Sequence, residues 1–147
     1  MIRKIRKEDR ELYLRMAAEF YHTDAVDHSL PQAHYESTFE ELMRCEVYAI
    51  AYILEYKSQP AGYALLSRSF SQEAGGFVIW IEELYVHPSF RGYGLGREFL
   101  DFVVNGGAGS YKRLRLEVAP DNHRAISLYH QLGFNHLPYQ QMILDRN

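Results

Sequence analysis

The spacing of apolar residues changes character along the chain. Leu12, Tyr13, Met16, Ala17 and Phe20 recur three and four positions apart, which places them on one face of a helix. Residues 21–31 carry His, Thr, Asp and Ser with no period and read as a loop. A second helix follows over 32–44, with Tyr35, Phe39, Leu42 and Met43 turned inward. The stretch 47–56 is then rich in Val, Ile and Tyr, as strands are. Lys57-Ser58-Gln59-Pro60 is a turn, and 61–70 is a second strand, so the two form a hairpin. After a polar turn at 71–76, residues 77–86 make a third long strand. His87-Pro88 ends it, because proline lacks the donor that would continue a ladder.

Residues 95–104 return to helical spacing, with Leu95, Phe99, Phe102 and Val103 on one side, and Asn105-Gly106-Gly107-Ala108-Gly109 stops them. Residues 113–118 alternate as a strand. Asn122 is a suitable N-cap for a helix reaching Gln131, and Gly133 caps its end. Residues 134–144 supply closing strand material, and 2–5 a short first strand. The predicted order is β-α-α-β-β-β-α-β-α-β. That is an α/β (α+β) arrangement, a mixed sheet with helices on both sides. No linker interrupts the 147 residues, so one domain is expected.

Composition narrows the choice of function. Apolar content of 47% and charged content of 24% are ordinary for a globular protein. A net charge of −3 gives no reason to expect nucleic-acid binding. The basic cluster Lys112, Arg113, Arg115 reads as a solvated strand end. Cys45 is the only cysteine, so no internal disulfide is expected. Its place in a helical stripe suggests packing rather than covalent catalysis. The segment MIRKIRKEDR lacks the apolar run of a signal peptide, and no apolar run is long enough to span a membrane. A cytoplasmic location without membrane contact is expected.

The chemistry concentrates at Arg91-Gly92-Tyr93-Gly94-Leu95-Gly96, between a strand and an amphipathic helix. A helix N-terminus offers unpaired N–H groups and the positive end of a dipole. Glycine lets the backbone approach a ligand closely. The run suits a diphosphate, with Arg91 and Arg97 adding charge; tight packing is the plainer alternative. The Walker pattern is absent, and the dinucleotide fingerprint does not fit Gly92, Gly94 and Gly96.

The segment from Glu83-Leu84-Tyr85-Val86-His87-Pro88 through Gly96 resembles the core motif of the GNAT superfamily of acetyl-CoA-dependent N-acyltransferases. Arg91, Gly94 and Gly96 match its turn. A second block runs from Leu116-Glu117-Val118 through Asn122, Ala125, Leu128 and Tyr129 to Gly133-Phe134. It resembles the family's N-x-x-A-x-x-L-Y-x-x-x-G-F signature. The element order matches as well.

The resemblance implies acetyl-CoA as co-substrate, no metal, and a bulged strand splayed from its neighbour to leave a mid-sheet cofactor cleft. It assigns Leu84, Tyr85 and Val86 to the pantetheine arm. Arg91, Gly92, Tyr93, Gly94, Leu95, Gly96 and Arg97 fall at the pyrophosphate. Asn122 matches a position near pantetheine, and Tyr129 a tyrosine near the thioester sulfur. Tyr129 is the candidate general acid; packing with a locally tied hydroxyl is the bland reading. Glu82 is the first candidate base. It follows an apolar run, where partial burial would raise its pKa, and it matches a glutamate that works through a water in amine acetyltransferases. Glu83 would face the other way in a regular strand and is the reserve, since a bulge disturbs parity. Glu117 is a third option.

Tyr21, His22 and Asp24 lie where the family closes over the acceptor, and Asp24 and Asp27 with the glutamates would favour a cationic amine. His22, Asp24, His28 and His34 match no zinc spacing. The implied activity is acetyl transfer to a primary amine of a small molecule by direct attack. A non-catalytic acyl-CoA sensor and a protein or peptide N-acetyltransferase stay open, as does dimerisation through sheet edges or exposed aromatic surface, which many members show.

Overall fold

A computed structural model describes residues 1–23 and 29–146. Its backbone falls into two compact units, Met1–Glu117 and Val118–Asn147.

The first unit is built on a five-stranded sheet in the order β1-β2-β3-β4-β5. The strands are β1 (Ile2–Lys4), β2 (Ala49–Tyr56), β3 (Gln59–Ser71), β4 (Gly76–Val86) and β5 (Arg113–Leu116). The first four run antiparallel, and β5 lies parallel to β4. The β2–β3 hairpin turns through Lys57 and Ser58, at φ 49° and 65°. Two successive left-handed residues match the twist of the flanking strands.

Helices α1 (Arg10–Phe20) and α2 (Gln32–Arg44) cover one face. Tyr13, Met16 and Ala17 of α1 and Tyr35, Phe39 and Leu42 of α2 share a core with Ala51, Ile53, Tyr63 and Tyr85 of the sheet. Leu14 joins them, although it falls outside the expected stripe. Met43 does not: it is 38% exposed, because the core-facing arc of α2 ends at Leu42. Helix α3 (Leu95–Val104) buries Leu95, Phe99, Leu100 and Val103. Phe99 and Phe102 close on the Tyr52 ring at 5.9 and 5.3 Å. Tyr52 and Ile53 are neighbours on one strand and so point to opposite faces, which puts α3 on the other side of the sheet from α1 and α2.

The second unit holds α4 (His123–Gln131) and the segment after it. The closing strand expected over 134–144 does not form, and Met142, Ile143 and Leu144 are at least 85% exposed. Alternation shows that a segment can be a strand; a ladder also needs a partner edge, which local sequence does not encode.

Candidate active site

The site begins with an irregularity in β4. Leu65 of β3 lies opposite Glu83, but the next residue, Leu66, lies opposite Ile81. Glu82 is therefore the extra residue of a β-bulge. On β3, Tyr63, Leu65 and Ser67 alternate onto the face covered by α1 and α2, and their cross-strand partners Tyr85, Glu83 and Trp80 share it. The Ser67 hydroxyl donates to Glu82 at 2.5 Å. The bulge thus brings both carboxylates to one face, where a regular strand would have separated them.

Their surroundings differ. Glu82 is exposed, contrary to the partial burial expected there. Glu83, one residue past the bulge, is half-buried instead. Tyr21, at the end of α1, donates to Glu83 at 2.5 Å, and Tyr63 donates at 2.7 Å. Burial holds the Glu83 carboxyl above the ordinary carboxylate range. The two phenol donors pull the other way, and the nearby Glu82 charge adds to the rise. Burial, reinforced by Glu83, keeps the Tyr21 and Tyr63 phenols protonated. The walls are aromatic: Tyr21 meets Tyr35 and Phe20 at 5.9 and 5.0 Å, and Tyr63 meets Tyr13 and Tyr85 at 5.4 and 5.9 Å. The Tyr85 hydroxyl donates to Glu19 of α1 at 2.8 Å, and burial together with that carboxylate pushes it up to about 12.

Along β4 the pairing with β5 runs from Val78↔Arg113 to Ile81↔Leu116 and stops. Among the described residues no strand pairs with 82–86 on that side. Leu84, Tyr85 and Val86 therefore border an edge that β5 leaves unpaired. A 3₁₀ turn, Pro88–Phe90, leads from β4 into the glycine run.

Gly92 and Gly94 adopt φ 86° and 79°, and Gly94 is the N-cap of α3. A Cβ added at Gly92, Gly94 or Gly96 would meet nothing within 4 Å. Tight packing is thus not why glycines stand here. Positive φ explains two of them, and open space in front of a helix N-terminus suits an anionic ligand. Tyr93 between them stacks on Tyr56 at 4.6 Å. Arg91 donates through Nε to the Val86 carbonyl at 3.1 Å, tying the loop to the strand end. Arg97 lies 3.6 Å from Asp101, one turn along α3.

The remaining expected residues are placed as follows. His22 and Glu117 are exposed. Asp24, Asp27 and His28 lie outside the described residues. Among the described residues, no group of three His, Cys, Asp or Glu side chains is arranged to hold a metal ion, and no helix is long and apolar enough to cross a membrane. In the second unit, Asn122 caps α4, its Oδ1 accepting from the Ala125 N–H at 3.2 Å. The Tyr129 ring packs on Phe134 at 5.8 Å, and burial raises its phenol. Among the described residues its hydroxyl makes no hydrogen bond, so the locally tied hydroxyl of the bland reading is not found.

The model of the Acetyltransferase (GNAT) family matches residues 10–134. The chain belongs to that family. Thialysine N-epsilon-acetyltransferase of Bos taurus is 34% identical over 90 residues, covering 57% of this chain and 52% of that relative. Spermine/spermidine N(1)-acetyltransferase of Bacillus subtilis (strain 168) is 27% identical over 85 residues, covering 55% of this chain and 56% of that relative. The chain thus spans about half the length of the curated relatives it matches. Among solved structures, AAC(6')-Iy in complex with the bisubstrate analog CoA-S-monomethyl-acetylneamine superposes with a TM-score of 0.79. It is 18% identical and covers 100% of this chain and 98% of that one, a likeness of fold.

In this GNAT protein, two partners of the β4 side chains carried no signal in the sequence motifs. Tyr63 and Glu19 both lie outside the motif blocks. In a regular hairpin a residue of one strand faces a calculable partner on the other, which would be the trace of Tyr63, diagonal from Glu83. The bulge changes that count by one, so the trace could not be read from the sequence.

Proposed function

We propose that this GNAT protein is an enzyme, a single domain that acetylates a primary amine of a small molecule, with Glu83 as the base. One observation carries the choice of base: past the bulge, Glu83 lies among aromatic side chains, between the hydroxyls of Tyr21 and Tyr63. A carboxylate there has a raised proton affinity, which suits it to take a proton from an ammonium group at neutral pH. The aromatic walls and the neighbouring Glu82 favour a cation on approach. Tyr21 and Tyr63 hold Glu83 in one orientation. Tyr129 keeps its proton at Oη, the state a general acid requires. Glu82 stays in reserve as a base acting through water, and Glu117 has the weakest support, being exposed at the end of β5.

Acetyl-CoA, when bound, supplies the acetyl group as a thioester. Residues of this chain fit that group: the N–H groups of Leu95, Gly96 and Arg97 at the start of α3 for the diphosphate, and the open β4 edge at 84–86 for the arm. The relatives, named as acetyltransferases of thialysine and of spermine and spermidine, agree with an amine acceptor. The match to residues 10–134 runs across both compact units, which supports reading one domain.

Turnover of amines by Glu83→Gln, Glu82→Gln and Tyr129→Phe tests the assignment. Glu83→Gln is expected to lower kcat by about a hundredfold or more, with coenzyme binding intact. Glu82→Gln is expected to change kcat by less than about tenfold. The reverse ranking would move the base to Glu82. Indifference of turnover to both carboxylates and to Tyr129→Phe would remove the acid–base reading altogether.

A further inference from the structure

Arg115 lies on β5 in register with Trp80 of β4, and its guanidinium sits over the indole, 4.1 Å from the ring centroid. Trp80 is the chain's single tryptophan. It is paired across β3 with Ser67, so it faces the side of the sheet that carries Glu82 and Glu83. Both Trp80 and Arg115 are half-buried.

The contrast with Arg113, two residues earlier, is informative. Arg113 is neutralised by Glu73 at 2.9 Å. Among the described residues, Arg115 makes neither an ion pair nor a hydrogen bond; its contact is the ring. A solvated strand end would leave the guanidinium in water. Here it sits over an aromatic face, a contact that spends none of its N–H donors on a protein acceptor among the described residues. The guanidinium fork matches a carboxylate in two parallel hydrogen bonds.

We infer that Arg115, held over Trp80, is an anion subsite for the acceptor, so that the amine deprotonated at Glu83 belongs to a molecule that also carries a carboxylate. The inference rests on the reading of Glu83 as the base. The spacing suits it. Glu83 and Trp80 lie opposite Leu65 and Ser67, two positions apart on β3, about 7 Å along the strand. Arg115 is one strand further across, about 4.8 Å. A short aliphatic chain between amine and carboxylate spans such a distance, and a side-chain amine of an amino acid has that form. Amines with cationic groups at both ends would place positive charge against Arg115.

The test compares lysine, lysinamide and cadaverine as acceptors, in wild type and in Arg115→Gln and Arg115→Lys. Wild type is expected to favour lysine over lysinamide by about tenfold or more in kcat/KM, the value of a charge-assisted pair. Arg115→Gln is expected to bring that ratio close to one, and Arg115→Lys to retain part of it. A coenzyme-induced thermal shift in each variant shows that the fold persists. Three results would overturn the inference: lysinamide or cadaverine used as well as lysine, no turnover of lysine, or a ratio untouched by Arg115→Gln. Failure of the underlying base assignment looks different, because Glu83→Gln would then leave turnover of all three amines intact whatever Arg115 does.

Discussion

At the scale of single residues, the proposed base Glu83 is characterised by its hold on a proton. Its folded pKa lies above the ordinary glutamate value of 4.5, mainly because burial disfavours the charge. A group with a raised folded pKa binds its proton more tightly in the native state than in the unfolded one. Below pH 4.5 it is protonated in both states and exacts no penalty. As pH climbs from there through the folded pKa, the native state loses that advantage and stability falls, then levels off. Melting temperature against pH should therefore slope downward over this window in wild type, and the slope should flatten in Glu83→Gln. An equal slope in both proteins would mean that Glu83 is not buried as described. The acid limb of kcat/KM should likewise sit above the ordinary glutamate range, since the base must first lose its proton. The motif drew attention to both glutamates. It could not say which is buried, because that depends on one extra residue in β4.

At the scale of elements, the proposed cradle is a loop with two left-handed glycines, a sequence with much backbone freedom to lose on binding. Tyr93 stands between them and stacks on Tyr56, from the end of β2, with the rings 29° apart. The stack fixes the loop before the ligand arrives, so its loss should appear as weaker coenzyme binding rather than slower chemistry. Tyr56→Ala should raise KM for acetyl-CoA about threefold to tenfold, the range expected for an aromatic pair. kcat should hold, and Tyr56→Phe should restore the KM. A fall in kcat with KM unchanged would mean that the stack serves something other than the cradle. Helix α3 itself was legible in full, Leu95–Val104, because a glycine start, an apolar face and a glycine stop all lie within its own sequence. The pairing of Tyr56 with Tyr93 was not legible, because the two rings meet only once the hairpin and the loop are folded.

At the scale of the whole molecule, family membership predicts a ligand that stabilises the native chain. Coenzyme A at a hundred times its Kd should add about 2.7 kcal/mol. That should raise Tm by about 5–10 °C for a chain of this size. No shift at millimolar coenzyme would contradict the cradle. The sequence by itself determined the order of the elements through α4, the amphipathic faces of α1 and α3, the turn chemistry and the family, since each follows from residues near one another in the chain. The tertiary structure alone decided which glutamate is buried, that Tyr21 and Tyr63 converge on it, that Arg115 lies over Trp80, and that the expected last strand goes unformed. Each of these depends on register across strands or on a partner edge, and pairing between distant segments leaves no local trace.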